Sequence, residues 1–88
     1  MKISIKHTKD PLMGWNIDVG VDAGKGEKIS YVEVLVNNAP VAQENIDPQL
    51  DSWERSFKQK GVYPGDNRVD VRAQNQKGDD TRKQQKWS

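Results

Sequence analysis

Apolar side chains fall on every second position in four stretches of the chain. In KISIKHT (2–8), Ile3 and Ile5 share a face. In WNIDVGVDA (15–23), Trp15, Ile17, Val19 and Val21 oppose Asn16, Asp18 and Asp22. In ISYVEVLVN (29–37), Val32, Val34 and Val36 oppose Tyr31, Glu33 and Leu35, and across 67–76 Val69, Val71 and Ala73 oppose Arg68, Asp70, Arg72 and Gln74. A period of two predicts half-buried β-strands. Between them stand AGKGEK, NNAP, YPGD and QKGDD, and Pro64 with Gly65 suits the two central positions of a type II turn. Short strands at this spacing predict an antiparallel sandwich or barrel, with Trp15, Val19, Val34, Trp53, Val69 and Val71 in its core.

One segment supports two readings. In DPQLDSWERSFKQKG (47–61), Asp47 can cap a helix over 48–60, with Pro48 at its first position and Gly61 at its end. Leu50, Trp53 and Phe57 would then share one helical face, giving an α+β fold. The strand reading places Trp53 and Phe57 on one side and obliges Arg55 to join them.

Composition narrows the function more than the fold. Eighty-eight residues, 33% of them hydrophobic, suit a single domain over 1–88 with a modest core. Fourteen basic side chains against thirteen acidic ones leave a net charge of +1. That charge supplies no whole-molecule field for nucleic acid or an anionic membrane. The absence of cysteine removes disulfides, thiolate catalysis and thiolate metal sites. MKISIKHTKDPLMGW alternates where a signal peptide would be continuously apolar, and no stretch has the length to span a membrane.

Candidate chemistry is sparse. His7 is the only histidine and reads as a solvent-facing strand residue. GVDAGKGEK departs from a phosphate loop, with three residues between Gly20 and Gly24 and glycine after Lys25, and reads as a flexible connection. Asp22 with Glu27, Asp47 with Asp51, and Asp66 with Asp79 and Asp80 group in loops, where calcium binding is the functional alternative to ordinary turn chemistry. Lys77, Arg82, Lys83 and Lys86, with Trp87 beside them, could hold single-stranded nucleic acid. They fit better as guards of an edge strand. With no nucleophile, base and orienting group together, the chain is expected to be noncatalytic and to need no cofactor or metal.

Trp53 followed by VYPGDNRVDVRAQNQKGD resembles the closing half of bacterial immunoglobulin-like domains, relatives in architecture of fibronectin type III modules. The matching residues are Trp53, Gly65, Asn67, Val69, Val71, Ala73, Asn75 and Gly78, and ISYVEVLVNNAPV is similar to the third strand and its turn. The likeness covers the C-terminal two thirds. It departs at Asn38 and Ala39, where glycine is common, at Asn75, usually Asp, and in TRKQQKWS, which lacks alternation and makes 79–88 a weak edge strand or tail. The resemblance implies an all-β, immunoglobulin-like antiparallel sandwich of about seven strands, with residues 52–59 extended.

Modules of that kind serve as adhesion units, spacers, appended domains of carbohydrate-active enzymes and decorations of phage particles. The resemblance thus implies a structural or protein-binding role at a cell surface or as a virion component, with an extracellular or particle location. A module binding polysaccharide or calcium is the alternative. In such a sandwich the third and sixth strands are neighbours, which joins Tyr31, Glu33, Leu35, Arg68, Asp70 and Arg72 into one outward face. Charges there can pair across strands. Tyr31 and Leu35 have no such reason to be present and mark the face as the expected contact with a protein partner.

Overall fold

The computed structural model describes residues 1–10, 14–59 and 67–87. The expected Pro64–Gly65 turn, and Asp66 of one carboxylate group, lie outside them. Seven strands form in chain order: β1 (Lys2–Asp10), β2 (Gly14–Asp22), β3 (Ile29–Val36), β4 (Ala39–Leu50), β5 (Ser52–Gln59), β6 (Asn67–Asn75) and β7 (Asp80–Trp87). They build two antiparallel sheets, β1-β2-β5 and β4-β3-β6-β7, so the chain is an all-β two-sheet sandwich with no helix among the described residues.

The segment with two readings is β5. Trp53 pairs with Val21 and Phe57 with Ile17, so both aromatics extend the apolar rows already begun by β1 and β2. That tertiary gain outweighs local helix chemistry, as strand propensity generally reflects the surface available for packing. Leu50, which a helix would bury beside Trp53, is 43% exposed. Asp47 and Pro48, the expected cap and first turn, belong instead to the edge strand β4, where a proline interrupts no interior ladder. Pairing there jumps from Tyr31 with Asn45 to Ile29 with Leu50, and residues 46–49 bow out of the ladder.

Inward-facing rows account for the core. Val36 pairs with Val69, Val34 with Val71 and Val32 with Ala73, and all six are buried. Across the other sheet Ile3, Val21 and Trp53 form one row, and His7, Ile17 and Phe57 another. Of the expected core residues, Val19, Val34, Trp53, Val69 and Val71 are buried. Trp15 corrects the expectation. It lies one residue into β2 and is only half-buried, packing against the core from the rim.

Loops gather at two ends. At the lower end, the connection 23–28 receives the backbone N–H of Gln76 on the Lys28 carbonyl, returns the Lys28 N–H to the Gln76 side chain at 2.8 Å, and donates from Ala23 to the Asp51 carbonyl. The connection expected to be flexible is therefore pinned to the β6–β7 turn and to the β4–β5 corner. At the upper end, β3 and β4 are joined through Asn37 and Asn38, whose φ values of 50° and 69° match the left-handed pair of a type I′ hairpin. Asparagine tolerates that region, so the hairpin forms without the glycine common there in the resembling family. Both β1 and β7 run from the lower end to the upper: Lys2 lies opposite Asp22, and Trp87 opposite Asn67.

Polar side chains close the two open sides of the sandwich. On the β4/β5 side, Glu44 accepts from Trp53 Nε1 at 2.7 Å and from Arg55 Nη2 at 2.8 Å. Arg55 shares the inward parity of Trp53 but escapes burial by lying over its ring, 5.8 Å from the centroid. On the β1/β7 side, Lys83 Nζ donates to the Ile3 carbonyl at 3.2 Å, and Gln85 Nε2 lies 3.2 Å from His7 Nδ1. His7 stacks on Trp87 with ring centroids 4.5 Å apart, and Trp15 meets both rings edge-on.

Two expectations change here. His7 has inward parity and is half-buried between strands, not solvent-facing. Trp87 is buried at the end of the core, not part of a guarding surface. TRKQQKWS concealed this because the inward positions of an edge strand at a seam, Thr81, Lys83 and Gln85, are polar. All eight residues of β7 pair with β6.

Candidate functional site

The six expected contact residues come together on the outward face of β3 and β6. Glu33 lies opposite Arg72 and Leu35 opposite Asp70, with Tyr31 and Arg68 at the two ends of the pair. All six are half-buried. Alternation places them: each precedes or follows a buried valine or alanine, so the residues that fix the core also fix this face.

The charged groups hold one another in place. Glu33 Oε2 accepts from the Tyr31 hydroxyl at 3.0 Å and from Gln43 Nε2 at 3.3 Å. Asp70 accepts from Arg68 Nε at 2.9 Å and from Gln84 Nε2 at 2.7 Å, while the Arg68 guanidinium also reaches the Asn38 side chain. Arg72 lies over the Tyr31 ring, 5.3 Å from its centroid. Its Nε is buried with no hydrogen-bond partner among the described residues. Partial burial of the phenol, and then its bond to the Glu33 carboxylate, push Tyr31 above the usual tyrosine range, against the opposing pull of Arg72. At the β7 margin the Gln74 amide, assisted by Arg72 and Arg82, holds the Asp80 carboxyl below its ordinary value.

Leu35 takes part in none of these bonds. With Glu33, Arg68, Asp70 and Arg72 it lines a shallow depression of about 530 Å³. It pairs with Pro40 across a register break that places the 39% exposed Val41 beside it. Sequence reasoning missed Pro40 and Val41, because the irregular β4 ladder gives no regular alternation there. The outward rows of the other sheet differ in kind: Lys2 with Asp22 and Ser52, Ser4 with Gly20 and Glu54, Lys6 with Asp18 and Ser56.

Several of the loop carboxylates are engaged locally. Asp22 Oδ1 accepts from the Gly24 N–H at 2.9 Å, Glu27 from Gln76 Nε2 at 2.5 Å, and Asp51 pairs with Lys28. Among the described residues no group of three or more His, Asp or Glu side chains could hold a metal ion. Trp53 and Trp87 are turned inward, which removes them as platforms for stacking sugar rings. No described helix is long and apolar enough to cross a membrane. No family model and no curated protein matches the chain. What the described residues establish is a seven-strand antiparallel two-sheet sandwich.

Proposed function

We propose that this chain is a noncatalytic, immunoglobulin-like module that serves structure or protein interaction within a larger surface or particle assembly. Its contact with a protein partner runs through Tyr31, Glu33, Leu35, Arg68, Asp70 and Arg72. The fourth strand lies beside the third rather than beside the fifth, which departs from the constant-type immunoglobulin order and favours the fibronectin type III-like arrangement within that reading.

The observation that carries the role is the contrast between the two outward faces. One carries only polar and charged side chains and glycine in its rows; the other presents Tyr31, Leu35 and Val41 amid charges already restrained by mutual hydrogen bonds. Restrained side chains lose less conformational freedom on association, and aromatic and apolar groups rimmed by polar ones characterise protein contact surfaces.

The test is a paired affinity capture. Wild-type protein, a Tyr31→Ser/Leu35→Ser variant and a Lys58→Ser control on the opposite face are used as bait against the source extract. A protein retained by wild type and control but lost with the double variant is the expected result. Equal retention by all three would move the contact to another surface.

A further inference from the structure

Two sheets leave four edge strands, β1, β5, β4 and β7, and three of these edges are encumbered. β1 and β7 are tied to each other, with Lys83 Nζ on the Ile3 carbonyl at 3.2 Å and Gln85 at His7. β4 contains Pro40 and Pro48, which have no N–H to donate, and its ladder is broken at two places. β5 carries none of these devices. It has no proline, and it pairs with β2 in unbroken register from Ser52 to Gln59. Glu44 reaches across to β5 but bonds only the side chains of Trp53 and Arg55. In an antiparallel ladder every second residue turns its backbone N–H and C=O away from the neighbouring strand. No described strand pairs with that side of β5, so it presents a row of backbone groups to which another strand can add.

The side chains of β5 say which strand fits. On its outward face Glu54 lies opposite Gly20, Ser56 opposite Asp18 and Lys58 opposite Asn16. Glu54 and Lys58 are exposed, have no charged residue across the ladder, and form no ion pair among the described residues. They stand two residues either side of Ser56, with opposite charge. An antiparallel copy of the same strand, centred on Ser56, therefore sets Glu54 against Lys58 twice, once on each side of the axis. The same register sets Arg55 against Phe57 and Ser56 against itself. Moving the centre to Arg55 opposes two arginines, and moving it to Phe57 leaves Lys58 against serine. A shift by one residue reverses the faces. Charged side chains often guard an edge strand by repulsion, but here the facing charges attract.

We propose that the free edge of β5 is a self-association site, occupied by β5 of a second copy of this chain running antiparallel about a twofold axis at Ser56. The two three-stranded sheets then join into one, ordered β1-β2-β5 and, in the second copy, β5-β2-β1. Such an interface is isologous and closes on itself, because each copy offers the same strand and has only one edge of this kind. Backbone hydrogen bonds supply the attraction, and the Glu54–Lys58 pairs fix the register. The contact is narrow, so association depends on concentration. The outward face of β3 and β6 belongs to the other sheet and stays open in the dimer.

Sedimentation equilibrium over a wide range of concentration tests this, with thermal melts establishing that every variant is folded. The average mass of wild type should rise toward twice that of the monomer. Glu54→Lys and Lys58→Glu, each of which sets like charges opposite one another, should each remain monomeric. An equimolar mixture of the two variants should associate again, since each strand then meets its complement, and so should the double variant Glu54→Lys/Lys58→Glu. Because the chain has no cysteine, Ser56→Cys supplies a single thiol that meets its own copy at the axis. It should cross-link under mild oxidation. Ser52→Cys, about 13 Å from the axis by strand rise, should cross-link far less. A wild type that stays monomeric throughout overturns the proposal, as does dimerisation of both single variants to the same extent as wild type. Failure of the mixture to associate, or equal cross-linking at positions 52 and 56, overturns the register and with it the assignment to β5.

Discussion

Glu44 ties the β4/β5 side of the sandwich through two bonds of unequal worth. Its partner Arg55 has a side chain 55% exposed, so that ion pair is screened and contributes about 0–1 kcal/mol. The indole N–H of Trp53 is different, because Trp53 is only 5% exposed and its donor has no ready access to water. Removing the acceptor costs the desolvation of that donor, about 1–3 kcal/mol. Glu44→Ala is therefore expected to lower stability by about 1–3 kcal/mol, or roughly 4–8 °C of melting temperature per kcal/mol for a domain of this size. Arg55→Ala should cost less than about 1 kcal/mol, even with its cation–π contact included. Glu44→Gln keeps an acceptor oxygen and should resemble Arg55→Ala. Urea unfolding followed by circular dichroism supplies the numbers, and a cycle with Trp53→Phe isolates the indole: in that background Glu44→Ala should lose most of its effect. If Arg55→Ala costs as much as Glu44→Ala, or the penalty survives in the Trp53→Phe background, the hydrogen bond is not what closes this side.

Other expectations follow from the same geometry. Val71→Ala, in a central strand and facing Val34, should cost about 1–3 kcal/mol from lost burial and the cavity left behind; a value near zero in urea unfolding would reverse the strand's faces. Tyr31→Ser/Leu35→Ser, at half-buried positions where Tyr31 bonds Glu33 and lies under Arg72, should cost no more than about 1 kcal/mol per site, and a drop in melting temperature as large as that of a core truncation would make these side chains core rather than contact. In a Tyr63→Phe background, absorbance titration should show Tyr31 ionising above the usual value of 10.0, lower again with Glu33→Gln and higher still with Arg72→Ala. Because the folded state favours the protonated phenol, its contribution to stability is whole below that pH and is lost as pH rises through the folded value.

Alternation made the interior strands legible. Val69, Val71 and Ala73 could only be one face of a strand, and burying them necessarily placed Arg68, Asp70 and Arg72 on the other. The same logic failed at the margins, where inward positions need not be apolar. His7, Lys83 and Gln85 face the seam between two sheets, so polar side chains mark an inward row that hydrophobic periodicity cannot detect. The register break in β4 was hidden for a related reason. Pro40, Val41 and residues 46–49 depart from two-residue spacing, and only the pairing with β3 reveals which of them lie beside the outward face of β3 and β6. Trp53 lay between these cases: its burial is correct under either local reading, and the strand won through rows supplied by β1 and β2.

The common direction of β1 and β7 has a mechanical meaning. The described body measures 41 × 19 × 18 Å, with Met1 at its lower end and Trp87 at its upper end. Tension applied at those two points pulls β1 and β7 along their own axes, in opposite senses, so the ladders of β1 with β2 and β7 with β6 are loaded in shear. Their backbone hydrogen bonds then share the load rather than opening one at a time, as they would if a strand were peeled from its end. Lys83 and Gln85, which join the two loaded strands across the seam, resist the same displacement. Loaded between those two points, the sandwich would resist force along its longest dimension.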